Sequence, residues 1–186
     1  MKQFIRNSVP FLMAILFCFT IMACESNFRD VQKMGFAEFS PSGDADFINL
    51  KYTDSGRITA NLISPKMLDY ATVEYPFTEF PKGIHLTLFD KNGKETYIDA
   101  KYAITHKTTN IIDLQENVKI SNQSGNVLET EQLFYDQKNE WFFTEKKFKF
   151  NSPKGVSYGE GIDFSKDFKK VNSKKISGEI QSEKKL

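Results

Sequence analysis

Apolar and polar residues alternate along most of the chain from Asp46 onward. A period of two is typical of β-strands that bury one face against a core. The apolar members of three such segments are Ile84, Leu86 and Leu88, then Ile98, Ala100, Tyr102 and Ile104, and later Phe148 and Phe150. Only residues 65–75 could be helical, and their β-branched end limits any helix to a turn or two. The pattern predicts an all-β domain.

The predicted strands also repeat along the chain, with a shift of about thirty residues. Residues 98–100 align with residues 128–130, residues 118–120 align with residues 148–150, and a third copy begins at Val156. Each unit consists of a strand, a turn, a second strand and a glycine turn. Stacked units of this kind predict a β jelly roll or a short β-solenoid of repeated strand pairs, open at both ends.

The last repeat breaks off between Tyr158 and Phe164, with no later strand that fully completes it. Glycine is frequent in this segment, and glycine inside a strand marks a bulge or the close approach of another backbone. An unpaired strand edge can form backbone hydrogen bonds with a strand of a partner protein. We therefore predict a partner-binding edge that comprises Gly155, Val156, Tyr158, Gly159, Gly161 and Ile162.

Composition and motifs argue against several classes of function. A chain of 186 residues, 40% of them hydrophobic, has room for one ordinary domain. Its 25 Lys and Arg balance 24 Asp and Glu, so no overall field attracts nucleic acid. It contains no nucleophile elbow, phosphate loop or His-Glu-x-x-His motif, and His85 and His106 lack partners at ligand spacing. We expect a binding protein with no catalytic residue, no metal and no cofactor.

The N-terminus has the pattern of a secretory signal, with Lys2 and Arg6 ahead of an apolar run that ends at Ala23. The run is short for a transmembrane helix, which needs about 20 residues. Cys24 completes a lipobox, so we predict cleavage before Cys24 and lipidation of its thiol. The alternative is an unmodified cysteine that ends an uncleaved anchor. The predicted organisation is a signal peptide over residues 1–23, the lipidated cysteine and a tether over 24–45, the folded domain over 46–180 and a basic tail over 181–186.

Six short motifs occur in an order that resembles one family of envelope proteins. They are Tyr52-Thr53-Asp54-Ser55-Gly56, Phe80-Pro81-Lys82-Gly83-Ile84, Ala100-Lys101-Tyr102-Ala103, Glu116-Asn117-Val118, Leu128-Glu129-Thr130-Glu131-Gln132-Leu133 and Gly155 to Gly161. With the N-terminus described above, they resemble the LptC family of lipopolysaccharide export proteins, in the branch that carries a lipobox. The resemblance extends from Tyr52 to Ile180.

The resemblance implies a twisted β jelly roll, similar to the OstA fold, whose inner groove holds the acyl chains of lipopolysaccharide. It implies a protein on the periplasmic side of the inner membrane; the alternative is an anchor in the outer membrane. There the N-terminal edge would dock on an ABC transporter complex and the C-terminal edge on a periplasmic bridge protein of the same fold. Familiar members keep an N-terminal transmembrane helix, and a lipid anchor here would replace it. The residues expected to line the groove are Ile84, Leu86, Leu88, Tyr102, Ile104, Val118, Ile120, Phe134, Phe148 and Phe150.

The same apolar alternation also fits the ordinary core of a closed β-sandwich. The chain would then be a structural or glycan-binding lipoprotein of the envelope. A carbohydrate site needs an exposed aromatic platform, whereas Trp141 aligns with Ile111 of the preceding repeat, which favours packing. The lysines from Lys166 onward are typical of a solvated end, and the alternative is that they meet phosphates of a transported lipid.

Overall fold

The computed structural model describes residues 40–180, with side chains as far as residue 177. These residues form eleven β-strands and no helix, so the all-β prediction is confirmed. The strands are β1 Gly43–Asp54, β2 Arg57–Tyr70, β3 Phe77–Phe80, β4 Ile84–Phe89, β5 Glu95–Ala100, β6 Tyr102–His106, β7 Ile111–Asn122, β8 Val127–Asp136, β9 Trp141–Ser152, β10 Gly155–Ser165 and β11 Val171–Ile180. Accordingly, the described residues include no helix that could span a membrane.

The helical turn considered for residues 65–75 does not form. Residues 66–70 are the last part of β2, and both of their edges are paired. Residues 43–46 of β1 pair with one edge, and residues 77–79 of β3 pair with the other. Ladder hydrogen bonds on both sides satisfy the backbone groups that a helix would have satisfied internally, so tertiary pairing overrides the local preference.

All the strands belong to one antiparallel sheet, in the order β11-β10-β9-β8-β7-β5-β4-β2-β3-β6, with β1 beside β2 and β6 also beside β7. The sheet folds into two walls because the long strands bend and change partners. In β7, residues 119–122 pair with β5, whereas residues 111–115 pair with β6. Between them Glu116 and Asn117 have φ values of 64° and 53°, which forms a bulge that bends the strand.

We call the two halves the first and second walls. The first wall contains residues 57–63 of β2, all of β4 and β5, and residues 119–122 of β7. The second wall contains residues 66–70 of β2, all of β3 and β6, and residues 111–115 of β7. The Ser64 hydroxyl lies at the bend of β2 and donates to the Gly83 carbonyl oxygen at 2.7 Å. The long strands β8, β9 and β10 have register shifts at similar points, so the bend extends across them.

One hydrophobic core lies between the walls, and its composition follows the repeat. Ile98 and Leu128 are equivalent in the repeat and both are fully buried, as are Ala103 and Leu133. The residues before β7 and β9 are also equivalent: Asn110 and Glu140 both adopt positive φ. The repeated strand pairs of the predicted jelly roll are therefore present. At the two ends of the sheet, within residues 40–180, β1 pairs only with β2 and β11 pairs only with β10.

The prediction that β10 forms the C-terminal edge is wrong. Strand β11 pairs with β10 from Gly155 to Phe164, so all six predicted edge residues, Gly155, Val156, Tyr158, Gly159, Gly161 and Ile162, lie in a strand paired on both sides. A Cβ on Gly159 would lie 2.2 Å from the Lys175 carbonyl oxygen and 2.7 Å from Cζ of Phe148. The glycine thus allows a close backbone approach, but the approaching backbone is β11 of the same chain.

The folded domain was predicted over residues 46–180. Strand β1 begins at Gly43, three residues before the predicted start, and β11 ends at Ile180. The predicted signal peptide, Cys24, most of the tether and the basic tail over residues 181–186 lie outside the described residues. The N-terminal expectations therefore remain predictions.

Candidate functional site

A cavity of about 270 Å³ lies between the two walls, at the end where their strands lead into turns. On the first-wall side it meets β1, β2 and β4, and on the second-wall side it meets β6, β7, β8 and two turns. Its lining residues are Tyr52, Thr59, Ala60, Leu62, Leu86, Leu88, Thr105, Ile112, Tyr135, Gln137, Glu140 and Lys166. Apolar side chains form most of its walls, and charged or amide side chains stand at one rim.

Strand register explains why leucines gather on the first-wall side. Leu62 pairs with Leu86 across the ladder, and Ala60 pairs with Leu88. Side chains two residues apart share a face, so these four residues form one apolar patch. Leu62, Leu86 and Leu88 are 2%, 2% and 4% exposed, and Ala60 is half-buried. This patch can pack against the hydrocarbon chain of a bound lipid.

On the second-wall side the cavity meets Ile112 and Tyr135, which pair across β7 and β8. The Tyr135 ring stacks on Phe142 with centroids 4.4 Å apart. Burial raises the pKa of Tyr135, so its hydroxyl stays neutral at physiological pH. Ile112 and Tyr135 therefore add no charge to the cavity.

The charged rim consists of Glu140 and Lys166. Lys166 Nζ donates to Glu140 Oε1 at 2.8 Å, and the Lys166 backbone N–H donates to the Glu140 carbonyl oxygen at 3.0 Å. The two side chains differ in burial, with 14% of the Lys166 side chain exposed against 62% of the Glu140 side chain. A cation is thus held close to an apolar cavity while its counterion faces water.

Beside the cavity, the turn over residues 165–170 closes the space between the walls. Phe168 is only 8% exposed and its ring stacks on Phe164, at 4.7 Å, and on Phe150, at 6.0 Å. The Thr96 hydroxyl on the first wall donates to the Lys166 carbonyl oxygen at 3.5 Å. Aromatic side chains therefore fill the interior beneath this turn, and the cavity lies next to it.

A second groove, of about 460 Å³, follows the bend across β7, β8 and β9. Its lining combines the apolar Val118 and Phe148 with Lys119, Glu129, Glu131, Lys147 and Lys149. Within it Lys149 Nζ lies 3.7 Å from Glu129 Oε2, in a pair that is about half exposed. Charges of both signs in water make this groove a poor site for hydrocarbon, so we take the smaller cavity as the candidate lipid site.

The ten residues predicted to line a lipid groove divide into three sets. Leu86 and Leu88 line the cavity. Ile84, Val118, Ile120 and Phe148 are at most 5% exposed within the core, and the half-buried Phe150 packs against it. Tyr102, Ile104 and Phe134 are placed differently, and the prediction that they share the inner face is wrong.

The strand bends explain this error. Lys101 separates β5 from β6, and the inward position passes from Ala100 to Ala103, which is fully buried. Tyr102 and Ile104 therefore point away from the core, and the Tyr102 hydroxyl donates to Glu79 Oε1 at 2.7 Å. In β8 the register shift has the same effect. Leu133 and Tyr135 point inward, and Phe134 stacks on Phe143 with centroids 5.1 Å apart.

One of the two histidines contacts a carboxylate. His85 has a carboxylate partner that sequence spacing did not reveal: its Nδ1 lies 2.7 Å from Oδ1 of Asp99 on the neighbouring strand. Both side chains are about half exposed, as expected for a solvated strand face. Among residues 40–180, no group of three or more His, Cys, Asp or Glu side chains is arranged to hold a metal ion.

Comparison with known proteins is consistent with this architecture. A search of curated proteins found no match. The family model described as lipopolysaccharide-assembly, LptC-related, matches residues 44–175, which is well over half of the chain and spans β1 to the middle of β11. The chain therefore belongs to the LptC family, and its role lies in lipopolysaccharide transport on the periplasmic side of the cell envelope.

Proposed function

We propose that this protein holds lipopolysaccharide by its acyl chains between the two walls and passes it from an inner-membrane ABC transporter to a periplasmic bridge protein. The observation that carries the proposal is the cavity lined by Ala60, Leu62, Leu86 and Leu88. Each methylene moved from water into such a site contributes about 0.8 kcal/mol. Several acyl chains would therefore bind strongly without any specific polar contact.

The cavity must widen to hold a whole lipid. At about 270 Å³ it lies just below the range of ligand pockets, roughly 300–1,000 Å³, and a lipid with several chains needs more. The walls are joined along the bend but separate at the turn-bearing ends, where the buried ring of Phe168 fills the adjoining space. We propose that entry of the lipid moves the walls apart at these ends and leaves the bend intact.

The two sheet edges support a role in which several similar domains associate end to end. In the described residues, β1 and β11 each pair with one strand only, so each has a free row of backbone donors and acceptors. A strand of a partner can extend the sheet at such an edge, as in β-augmentation. We propose that β1 docks on the transporter complex and that β11, rather than β10, docks on the bridge protein.

A lipid anchor on Cys24 would hold the domain at the periplasmic face of the inner membrane. The proposal rests on the lipobox, which ends in Ala23 and Cys24, and on the short apolar run before it. Residues 25–42 would then span the distance from the membrane to the start of β1 at Gly43.

Site-specific photo-crosslinking in cells tests the lipid site. A photoreactive amino acid at Leu88, on the cavity wall, should capture lipopolysaccharide. The same amino acid at Phe134, on the outer face, is the matched control and should not capture it. Equal labelling at the two positions, or none at Leu88, would contradict the proposal and favour a closed sandwich whose interior is only a core.

A further inference from the structure

Lys166 differs from the other lysines of the C-terminal segment in its burial. The side chains of Lys169, Lys174 and Lys175 are 83%, 59% and 76% exposed, and each pairs with a carboxylate in water. The Lys166 side chain is 14% exposed and lines the cavity. Burying an ammonium group costs free energy unless a paired anion compensates for it, and in this structure Glu140 provides that anion.

The backbone around Lys166 is tightly fixed. The Ser165 N–H donates to the Lys170 carbonyl oxygen at 2.9 Å, and the Phe168 N–H donates to the Ser165 carbonyl oxygen at 2.8 Å. Phe168 anchors the same turn in the core. The turn therefore fixes the backbone position from which the Lys166 side chain extends to the rim of the cavity.

The Glu140 side chain is much more exposed than that of Lys166. Its side chain is 62% exposed, it lies in the turn between β8 and β9, and a rotation of its side chain would move the carboxylate into water. An ion pair with one partner in solvent is weak. Asp90 is a second carboxylate close enough to Lys166 to be influenced by its charge, but it accepts hydrogen bonds from the N–H groups of Asn92 and Lys94 in its own turn. Glu140 is thus the exchangeable counterion of Lys166.

We propose that Lys166 binds a phosphate group on the headgroup of the transported lipid, and that Glu140 takes the place of this phosphate when the cavity is empty. The inference rests on the proposed function, because acyl chains against Leu62 and Leu88 would place the headgroup at the rim that carries Lys166. A phosphate carries more charge than a carboxylate and has three acceptor oxygens, so it can displace Glu140. Lysine binds phosphate as a point charge and needs no fixed fork geometry.

Binding of lipid A with and without its phosphates tests this exchange. The full chain, purified in detergent, is titrated with phosphorylated lipid A and with the same lipid after enzymatic dephosphorylation, in competition with a fluorescent lipid. We expect Lys166→Gln to lower the affinity for phosphorylated lipid A about tenfold and to leave the affinity for the dephosphorylated form unchanged. Lys166→Arg should retain the preference, because it keeps the charge. Lys169→Gln, which removes an exposed lysine of the same turn, should behave like the wild type.

A second variant tests the role of Glu140. Glu140→Gln removes the competing carboxylate and should raise the affinity for phosphorylated lipid A severalfold. If Lys166→Gln weakens both lipid forms equally, or neither, the inference is wrong while the lipid site stands. If the wild type binds neither form, the proposed function itself fails. Inorganic phosphate alone should not bind measurably, because it has no acyl chains; binding through Lys166 as tight as that of the phosphorylated lipid would overturn the inference.

Discussion

Filling the cavity should make the protein more stable and less able to bind lipid. Ala60 is half-buried and its methyl group faces the cavity of about 270 Å³, so Ala60→Leu adds three carbon atoms where space already exists. Burial of three carbons contributes about 2.4 kcal/mol at 0.8 kcal/mol each, and the lost side-chain entropy of Leu costs about 0.5–1 kcal/mol. We therefore expect a stability gain of about 1.5 kcal/mol, which for a chain of this size raises Tm by about 3–6 °C.

Thermal unfolding and lipid binding are measured on the same preparations of Ala60→Leu. The matched control is Ala71→Leu, which makes the same change at an exposed position after β2 and should alter neither property. The two properties should change in opposite directions only if the cavity is the lipid site. A higher Tm with unchanged lipid binding would mean that lipid binds somewhere other than this cavity. Lower Tm would mean that the space at Ala60 is already filled.

Two further predictions concern the ends of the chain. Cys24→Ser should accumulate as uncleaved precursor, and mass spectrometry should find the wild-type chain beginning at a lipidated Cys24; a functional wild-type protein that keeps Met1 would contradict the anchor. A photo-crosslinker at Ile176, which is 66% exposed on β11, should capture the periplasmic bridge protein, whereas one at Tyr158 on β10 should not; capture from Tyr158 alone would refute docking at β11.

Much of the fold could be predicted because its strands follow one physical rule. Ile98 and Val118, like their repeat mates Leu128 and Phe148, point inward within regular stretches of strand, where alternation holds. The rule fails at the bends, since a bulge adds a residue and reverses which side chains point inward. Tyr102, Ile104 and Phe134 were assigned to the wrong face because each follows such a bend. In β8 no glycine or proline marks the bend in the sequence.

The C-terminal edge was missed for a different reason. Residues 171–177 of β11 are mostly polar, and Val171 and Ile176 are among the exposed apolar side chains. An edge strand with both faces in water needs no apolar alternation, so its sequence resembles a solvated tail. Its position could have been inferred from Gly159, where the close backbone approach was expected and only the identity of the approaching strand was wrong.

Only part of the candidate site could be found from sequence. Leu86 and Leu88 were predicted because they lie on a regular strand. Glu140 and Lys166 lie on two turns that are 26 residues apart in sequence, and no spacing rule relates them. Their proximity follows from the register of β9 and β10, in which Ser165 pairs with Trp141.

The central claim is most directly tested by identifying what occupies the protein after purification from cells. Wild-type chain and Ala60→Leu, prepared in parallel under mild conditions, are extracted and their lipids analysed by mass spectrometry. We predict lipopolysaccharide bound to the wild type in amounts approaching one molecule per chain, and much less bound to Ala60→Leu. A folded wild-type protein that carries no lipopolysaccharide, or equal amounts on both proteins, would contradict the assignment of the cavity as the lipid site.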